Sequence, residues 1–345
     1  MKTVYVMGAG ASKHVGYPLI SGMGRQLFEW MAAYPDGMFS GSVDLLMERF
    51  GENPNIETVI TEIGSLIDSL ENSEALEDRL QRALLATTRG QLFDGLREWF
   101  RQIHHRPAAA YAEFADEMIQ PGNAVITFNY DGSLERELRR AGKWGVSQGY
   151  GFALGKTEQP SPVIVLKLHG SINWLASMFG GITSGGFSIG SGDSIGEHPV
   201  IHKADLEFLG YTDFTGKIFP GGGGFPGLVL PGHNKEFFYR TSFGEEWKGF
   251  FDHLWFQATE ALRRADKLVI CGYSMLSVDK RACDMILKST SKKAKIEIVC
   301  GSQGERIAAD FRNAGYISVS FDAIGHFEEW VQHKVTESHS PVGIA

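Results

Sequence analysis

The sequence predicts an α/β protein: a Rossmann-like, doubly wound parallel sheet with a helical insertion and a glycine-rich loop insertion. Three observations predict it. Short apolar runs recur along the chain, and several are apolar on both faces, as strands of a helix-covered parallel sheet must be. The first of these runs ends in a glycine turn. The last part of the chain alternates strand and helix patterns as βαβαβα.

Taken in order, the first strand is expected over 3–7 and runs straight into Gly8-Ala9-Gly10-Ala11-Ser12. That opening stretch is too short for a signal peptide. Residues 20–119 read as a long helical insertion. Within it Ile56, Val59, Ile60, Ile63, Leu66, Ile67 and Leu70 recur at i, i+3, i+4 and i+7. Leu76, Leu80, Leu84, Leu92, Leu96 and Phe100 continue a similar stripe. A helical subdomain with its own core is the expectation, and part of the stripe is an alternative oligomer interface. Further strands are expected over 124–128 and 163–168. A second insertion, 179–240, holds Gly180-Gly181, Gly185-Gly186 and Gly221-Gly222-Gly223-Gly224. Such loops tend to be long and mobile, and near a site they often serve as lids.

The closing part is the most regular. A strand over 267–271 leads to a helix over 277–289. A strand over 295–300 leads to a helix over 303–314 that Gly315 stops. A strand over 317–321 leads to a last helix through Phe327 and Trp330.

Composition sets outer limits. The chain has 345 residues, enough to bury a substantial core, with 43% hydrophobic and 21% charged residues. Its formal net charge of -8 does not favour direct nucleic-acid binding. No apolar run approaches the ~20 residues of a membrane span. The three cysteines, Cys271, Cys283 and Cys300, form no C-x-x-C pair. Neither a zinc ribbon nor a disulfide framework is expected, and a reducing, cytoplasmic setting fits.

Four segments carry chemistry, each at the end of an expected strand, where α/β sheets bind ligands. The glycines of Gly8-Ala9-Gly10 allow close backbone approach to a pyrophosphate, although a tight strand–helix turn needs them equally. The run does not complete G-x-G-x-x-G, because Lys13 stands at the last position. Thr127-Phe128-Asn129-Tyr130-Asp131 brings an amide and a carboxylate. Asp131 before Gly132-Ser133-Leu134-Glu135 also suits an ordinary helix cap. Lys167-Leu168-His169-Gly170-Ser171 brings an imidazole, the natural general base at neutral pH, or else a strand-end histidine bonded to a carbonyl. Gly272-Tyr273-Ser274 brings amides and a hydroxyl, or an ordinary capped turn. Together they predict a nucleotide-cleaving site. Gly151-Phe152-Ala153-Leu154-Gly155-Lys156-Thr157 resembles a P-loop ending but is rejected, because Tyr150 stands where its first glycine belongs and Pro160 and Pro162 break the helix that should follow.

In this order, GAGAS at Gly8–Ser12 with Pro18-Leu19 behind it, FNYD at Phe128–Asp131, LHGSINW at Leu168–Trp174, and CGYSM at Cys271–Met275 with Asp279 after it resemble the sirtuin-like superfamily. The match spans most of the chain. It is with the bacterial sirtuin-like NAD hydrolases rather than the protein deacetylases. Deacetylases carry a glutamine where Phe128 stands, an Asp-Phe-Arg stretch that Pro18-Leu19-Ile20 lacks, and a four-cysteine zinc module after the His-Gly pair. Here no cysteine follows His169-Gly170 until Cys271.

The resemblance implies one sirtuin-like NAD-binding domain over 1–345, with NAD as substrate and no metal. It implies cleavage of the nicotinamide–ribose bond to nicotinamide and ADP-ribose. Asn129 would orient the ribose hydroxyls and a water, His169 would act as general base, and Asp131 would support them. Gly8, Ala9, Gly10, Ser12 and Pro18 would line the pyrophosphate side. Gly272, Tyr273 and Ser274 would contact phosphate or the adenosine ribose. Relatives of this kind often serve in anti-phage defence, with control from self-assembly or a separate partner such as an ATPase or Argonaute-like protein. The rival expectations are an NAD- or ADP-ribose-binding sensor or scaffold that does not cut, and a deacetylase or ADP-ribosyltransferase.

Overall fold

The computed structural model describes residues 2–146, 148–152, 161–177, 203–204, 224–228, 244–322 and 325–339. A six-stranded sheet lies at its centre. In chain order its strands are β1 (Thr3–Met7), β2 (Ala124–Thr127) and β3 (Ile164–Lys167), then, after three strands of a second sheet, β7 (Lys267–Cys271), β8 (Lys295–Val299) and β9 (Val319–Phe321). Their spatial order is β3-β2-β1-β7-β8-β9, and every pairing is parallel. The order reverses between β1 and β7, so the carboxyl ends of those two strands flank the topological switch point of a doubly wound, Rossmann-like sheet.

All five residues of β1 are buried, which requires cover on both faces. On one face Tyr5 meets the ring of Phe114 edge-on at 4.8 Å, and Phe114 meets Phe327. That cover comes from α6 (Ala109–Glu113), its π-helical continuation Phe114–Met118, and the last helix, α11 (Phe327–His339), with α7 (Ser133–Arg140) beside them. Elsewhere α8 (Gly244–Arg263) packs on β3 and on α9 (Lys280–Ser289), and α10 (Gly304–Asn313) covers β8 and β9.

The strands coincide with the sequence expectation to within two residues. The largest difference is at the edge, where β9 starts at Val319 and Ile317 is 95% exposed. The ladder with β8 begins at Ile296↔Val319, so Ile317 has no register partner to hold it.

Between β1 and β2 the chain is helical: α1 (Ala9–Ser12), α2 (Ile20–Ala32), α3 (Ser40–Phe50), α4 (Ile56–Ser69) and α5 (Leu76–His104) precede α6. Asn55 caps α4 by accepting from the amides of Glu57 and Thr58, and Ile56, Val59, Ile60, Ile63 and Ile67 are buried as their spacing predicts. The leucine stripe of α5 departs from a continuous core. Leu92, Leu96 and Phe100 are buried, but Leu76, Leu80 and Leu84 are 70%, 63% and 54% exposed. Spacing explains this. Each four-residue step overshoots a full turn by about 40°, so Leu76, Leu80 and Leu84 lie on a different face of α5 from the buried Leu85, Thr88, Leu92 and Leu96.

After His169 the chain enters β4 (Gly170–Ser177), which pairs antiparallel with β5 (Lys203–Ala204) and β6 (Gly224–Leu228) in a separate three-stranded sheet. The sequence reading foresaw neither this sheet nor α8. The glycine-rich insertion at 179–240 lies outside the described residues apart from β5 and β6, and the rejected P-loop lies outside them beyond Phe152.

Candidate functional site

The four segments singled out in the sequence follow β1, β2, β3 and β7, which are neighbours in the sheet, so they meet at one edge. The ladder extends into them: Phe128 N–H donates to the Met7 carbonyl, Leu168 N–H to Thr127, Gly8 N–H to Cys271 and Gly272 N–H to Val299.

At the switch point the glycine loops interlock. Gly10 N–H donates to the Gly272 carbonyl at 3.0 Å, and Ala11 N–H to that of Gly8 at 2.9 Å. A methyl group on Gly8 would lie 2.7 Å from the Gly272 carbonyl oxygen, and one on Gly10 2.8 Å from the Gly272 Cα. Gly272 has φ +61°, and a Cβ there would stand 2.2 Å from the Ala11 nitrogen. These glycines let two strand-end loops touch backbone to backbone, and the amides of Gly8, Gly10 and Ala11 are engaged within the protein. Of the two roles the sequence offered these glycines, this contact is the tight strand–helix turn. Ala9 and Gly10 are partly exposed at this contact, while Pro18 is buried just before α2.

Asn129 and Asp131 belong to a buried network built on Ser12. The Ser12 hydroxyl donates to Asp131 Oδ2 at 2.7 Å. It has one proton, so in its 2.7 Å bond with Tyr111 the phenol donates. Asn129 Nδ2 donates to Ser12 Oγ and to the Gly8 carbonyl, both at 2.9 Å. Both amide hydrogens are therefore committed, and what the Asn129 amide offers a ligand is the acceptor Oδ1. The other Asp131 oxygen accepts from the amide of Ser133 at the start of α7. Asp131, 4% exposed, thus performs the capping expected of it and also anchors Ser12. Burial pushes the Tyr111 phenol up, with the Asp131 charge adding to it, so Tyr111 stays a neutral donor.

Beneath this network lies an ion pair that the sequence reading missed. The Lys167 side chain, fully buried on β3, places Nζ 2.8 Å from Glu135 Oε1 and donates to the Asp131 carbonyl. Burial raises the Glu135 carboxyl and the Lys167 charge opposes that rise. The signal was available: a lysine inside the run Val163-Ile164-Val165-Leu166-Lys167-Leu168 has to find a buried partner. Beside it Asn173 donates to the Tyr150 hydroxyl at 3.1 Å, and Ser171 donates to Asn173.

His169 follows β3 and is 4% exposed. Its ring lies 5.0 Å from that of Phe128, and Phe128 stacks on Tyr273 at 4.2 Å. Nε2 is 3.9 Å from Asp279 Oδ2. The loop carrying Tyr273 and Ser274 is tied down from behind. Arg306 donates to the Ser274 carbonyl, and the Cys300 thiol to the Tyr273 carbonyl at 3.4 Å. Among the described residues no group of three or more His, Cys, Asp or Glu side chains is gathered as metal ligands would be, and no helix is long and apolar enough to cross a membrane.

No protein-family model and no curated protein matches the chain. Solved structures of Sir2 proteins are similar to it. A Sir2 homologue in complex with NAD aligns over 97% of this chain and 90% of its own, at 15% identity and a TM-score of 0.45. A mutant Sir2 homologue with ADP-ribose aligns over 98% and 94%, at 16% identity and 0.43. A structure from work on the mechanism and regulation of Sir2 enzymes aligns over 98% and 94%, at 16% identity and 0.41.

Proposed function

We propose that the protein is an NAD hydrolase that cleaves the bond between nicotinamide and ribose C1′. One observation carries the reading: a fixed amide acceptor at Asn129 and an imidazole at His169 stand at adjacent strand ends beside the switch point of a Rossmann-like sheet. The motif resemblance supports NAD as the ligand there. The reaction consumes water: NAD and water give nicotinamide, ADP-ribose and a proton. The pyridinium leaves as neutral nicotinamide and needs no acid. The ribose becomes oxocarbenium-like, and the protein has to hold it and aim the water. Asn129 Oδ1 accepts from a ribose hydroxyl or the water. His169 takes the proton from the attacking water or a ribose hydroxyl. Asp131 and Ser12 hold Asn129 rather than the substrate. Gly8, Ala9, Gly10 and Pro18 line the pyrophosphate side, and Gly272, Tyr273 and Ser274 the adenosine side.

Phe128 supports hydrolysis over deacetylation. It takes the place of the deacetylase glutamine and packs on His169 and Tyr273. Binding of NAD or ADP-ribose without cleavage is the second reading. It is favoured by the extent to which Ser12 and Asp131 are consumed in structural bonds.

The deciding experiment is nicotinamide release from NAD by the purified protein, beside His169→Ala and Asn129→Ala. Release abolished by both substitutions is expected. Undiminished release from either would overturn its assigned role. The biological role is that of a cytoplasmic anti-phage effector that depletes NAD. Expression of the wild type should protect a bacterial culture from phage and His169→Ala should not. Control comes from self-association or a separate ATPase or Argonaute-like partner. The exposed Leu76, Leu80 and Leu84 row is the surface self-association would cover, and a monomer at every concentration, with and without candidate partners, would contradict this.

A further inference from the structure

Asp279 occupies the N-cap of α9, yet its side chain makes no capping bond to that helix. An Asp at this position ordinarily accepts from the first helical amides. Here the carboxylate turns back toward the site. The Tyr273 hydroxyl donates to its Oδ2 at 2.7 Å, and the same oxygen lies 3.9 Å from His169 Nε2. Both partners are shielded, His169 at 4% and Asp279 at 14% side-chain exposure. A local rule forgone beside a functional group is where a second role belongs.

We infer that Asp279 is the positioning residue of His169, and that Tyr273 holds Asp279 in place. The inference rests on the reading of His169 as the general base. At 3.9 Å the carboxylate acts on the ring through its charge rather than through a direct hydrogen bond. It stabilises the imidazolium that forms when His169 takes a proton. The titratable groups gathered around this carboxylate are His169, Tyr273, Tyr130 and Cys283. Burial pushes the two phenols well up and the Cys283 thiol up to about 11, so these three stay neutral and Asp279 supplies the charge. The support is built in. Met275 adopts φ +46°, unusual for a side-chain-bearing residue, and Arg306 clamps the carbonyls of Ser274 and Met275. Phe128 stacks on Tyr273 and meets the His169 ring at a tilt, so it packs against both.

Two readouts test this. The first needs no turnover: the His169 imidazole is titrated by nitrogen-15 NMR in the intact protein, with its signal assigned by its loss in His169→Gln. Asp279→Asn should lower the His169 pKa by about one unit. Tyr273→Phe should lower it less. The second is nicotinamide release. Asp279→Asn should reduce kcat about tenfold or more with KM for NAD nearly unchanged, and Asp279→Glu should restore part of it. An unchanged His169 titration in Asp279→Asn, or an unchanged kcat, would overturn the inference. If Asp279→Asn does not fold, an unshifted titration in Tyr273→Phe decides the same way. If the wild type releases no nicotinamide, the hydrolase reading fails while the NMR titration still decides the Asp279–His169 pairing.

Discussion

Replacing Lys167 by Met tests the buried ion pair beneath the site. Lys167 and Glu135 are 0% and 1% exposed and stand 2.8 Å apart. At an effective dielectric near 20, that separation corresponds to roughly 6 kcal/mol of gross attraction, which offsets the cost of burying two charges. Removing the ammonium leaves the carboxyl buried and lifts it further, since burial already raises it and Lys167 was the opposing influence. Breaking such a pair should destabilise the fold by about 3–5 kcal/mol at neutral pH. The pH dependence is diagnostic. A carboxyl raised in the folded state contributes full stability below its unfolded value, near 4.5, and loses it as pH rises. Glu135 is raised in the wild type too, so both proteins lose stability together at first; only above the wild-type folded value does the deficit of Lys167→Met grow, by up to about 1.4 kcal/mol per pH unit. Adding Glu135→Leu removes the orphaned charge and should recover most of the loss. Urea unfolding followed by the fluorescence of the seven tryptophans, at several pH values, measures all three proteins. A single-variant deficit below about 1 kcal/mol, or one independent of pH, would refute the reasoning.

Three further outcomes are expected. Ser12→Ala deletes the oxygen joining Asn129, Asp131 and Tyr111, so urea unfolding should show a loss of about 1–3 kcal/mol. Nicotinamide release should fall at least about tenfold, with less change in NAD affinity. Gly272→Ala puts a Cβ 2.2 Å from the Ala11 nitrogen at φ +61°, so its urea midpoint should reveal about 2 kcal/mol or more of strain. His104 is held down to about 3, by burial first and by the Arg136 charge second, and stays neutral in the fold. The unfolded chain protonates it below about 6.5, so stability should fall by up to about 1.4 kcal/mol per pH unit between 6.5 and 3. Calorimetry of His104→Leu should show that slope reduced.

The six-stranded sheet was legible because parallel strands buried on both faces leave unbroken apolar runs, and Val4-Tyr5-Val6-Met7 or Leu268-Val269-Ile270-Cys271 has no other economical reading. The convergence of Asn129, His169 and Gly272 was legible for a related reason: each stands immediately after such a run. What could not be read was side-chain direction. The sequence allowed Asp131 both as cap and as site residue, and in the structure it accepts from the Ser133 amide and also fixes Ser12. Tyr111 is 99 residues from its partner Ser12, and no local pattern couples them. The leucines of α5 repeat every four residues, yet that repeat drifts around the helix, and only its later members reach the covered face.

The polar residues at this sheet edge divide by what they have left to give. Ser12, Tyr111 and Asp131 spend their capacity on one another and on the first turn of α7. Lys167 spends its own on Glu135 and the Asp131 carbonyl. None of these needs to meet a ligand to matter, because together they hold the Asn129 amide with both hydrogens committed and its oxygen as the remaining function. On the other side Tyr273 and Asp279 stand in the same relation to His169. A site arranged in this way can stabilise a developing ribose cation without moving its own dipoles. Under the proposed reading its rate would come from that preorganisation, with Asn129 and His169 as the two groups in contact with substrate. Substitutions in the supporting layer should then lower kcat while sparing NAD affinity, whereas a pure binding site would lose affinity at the same positions.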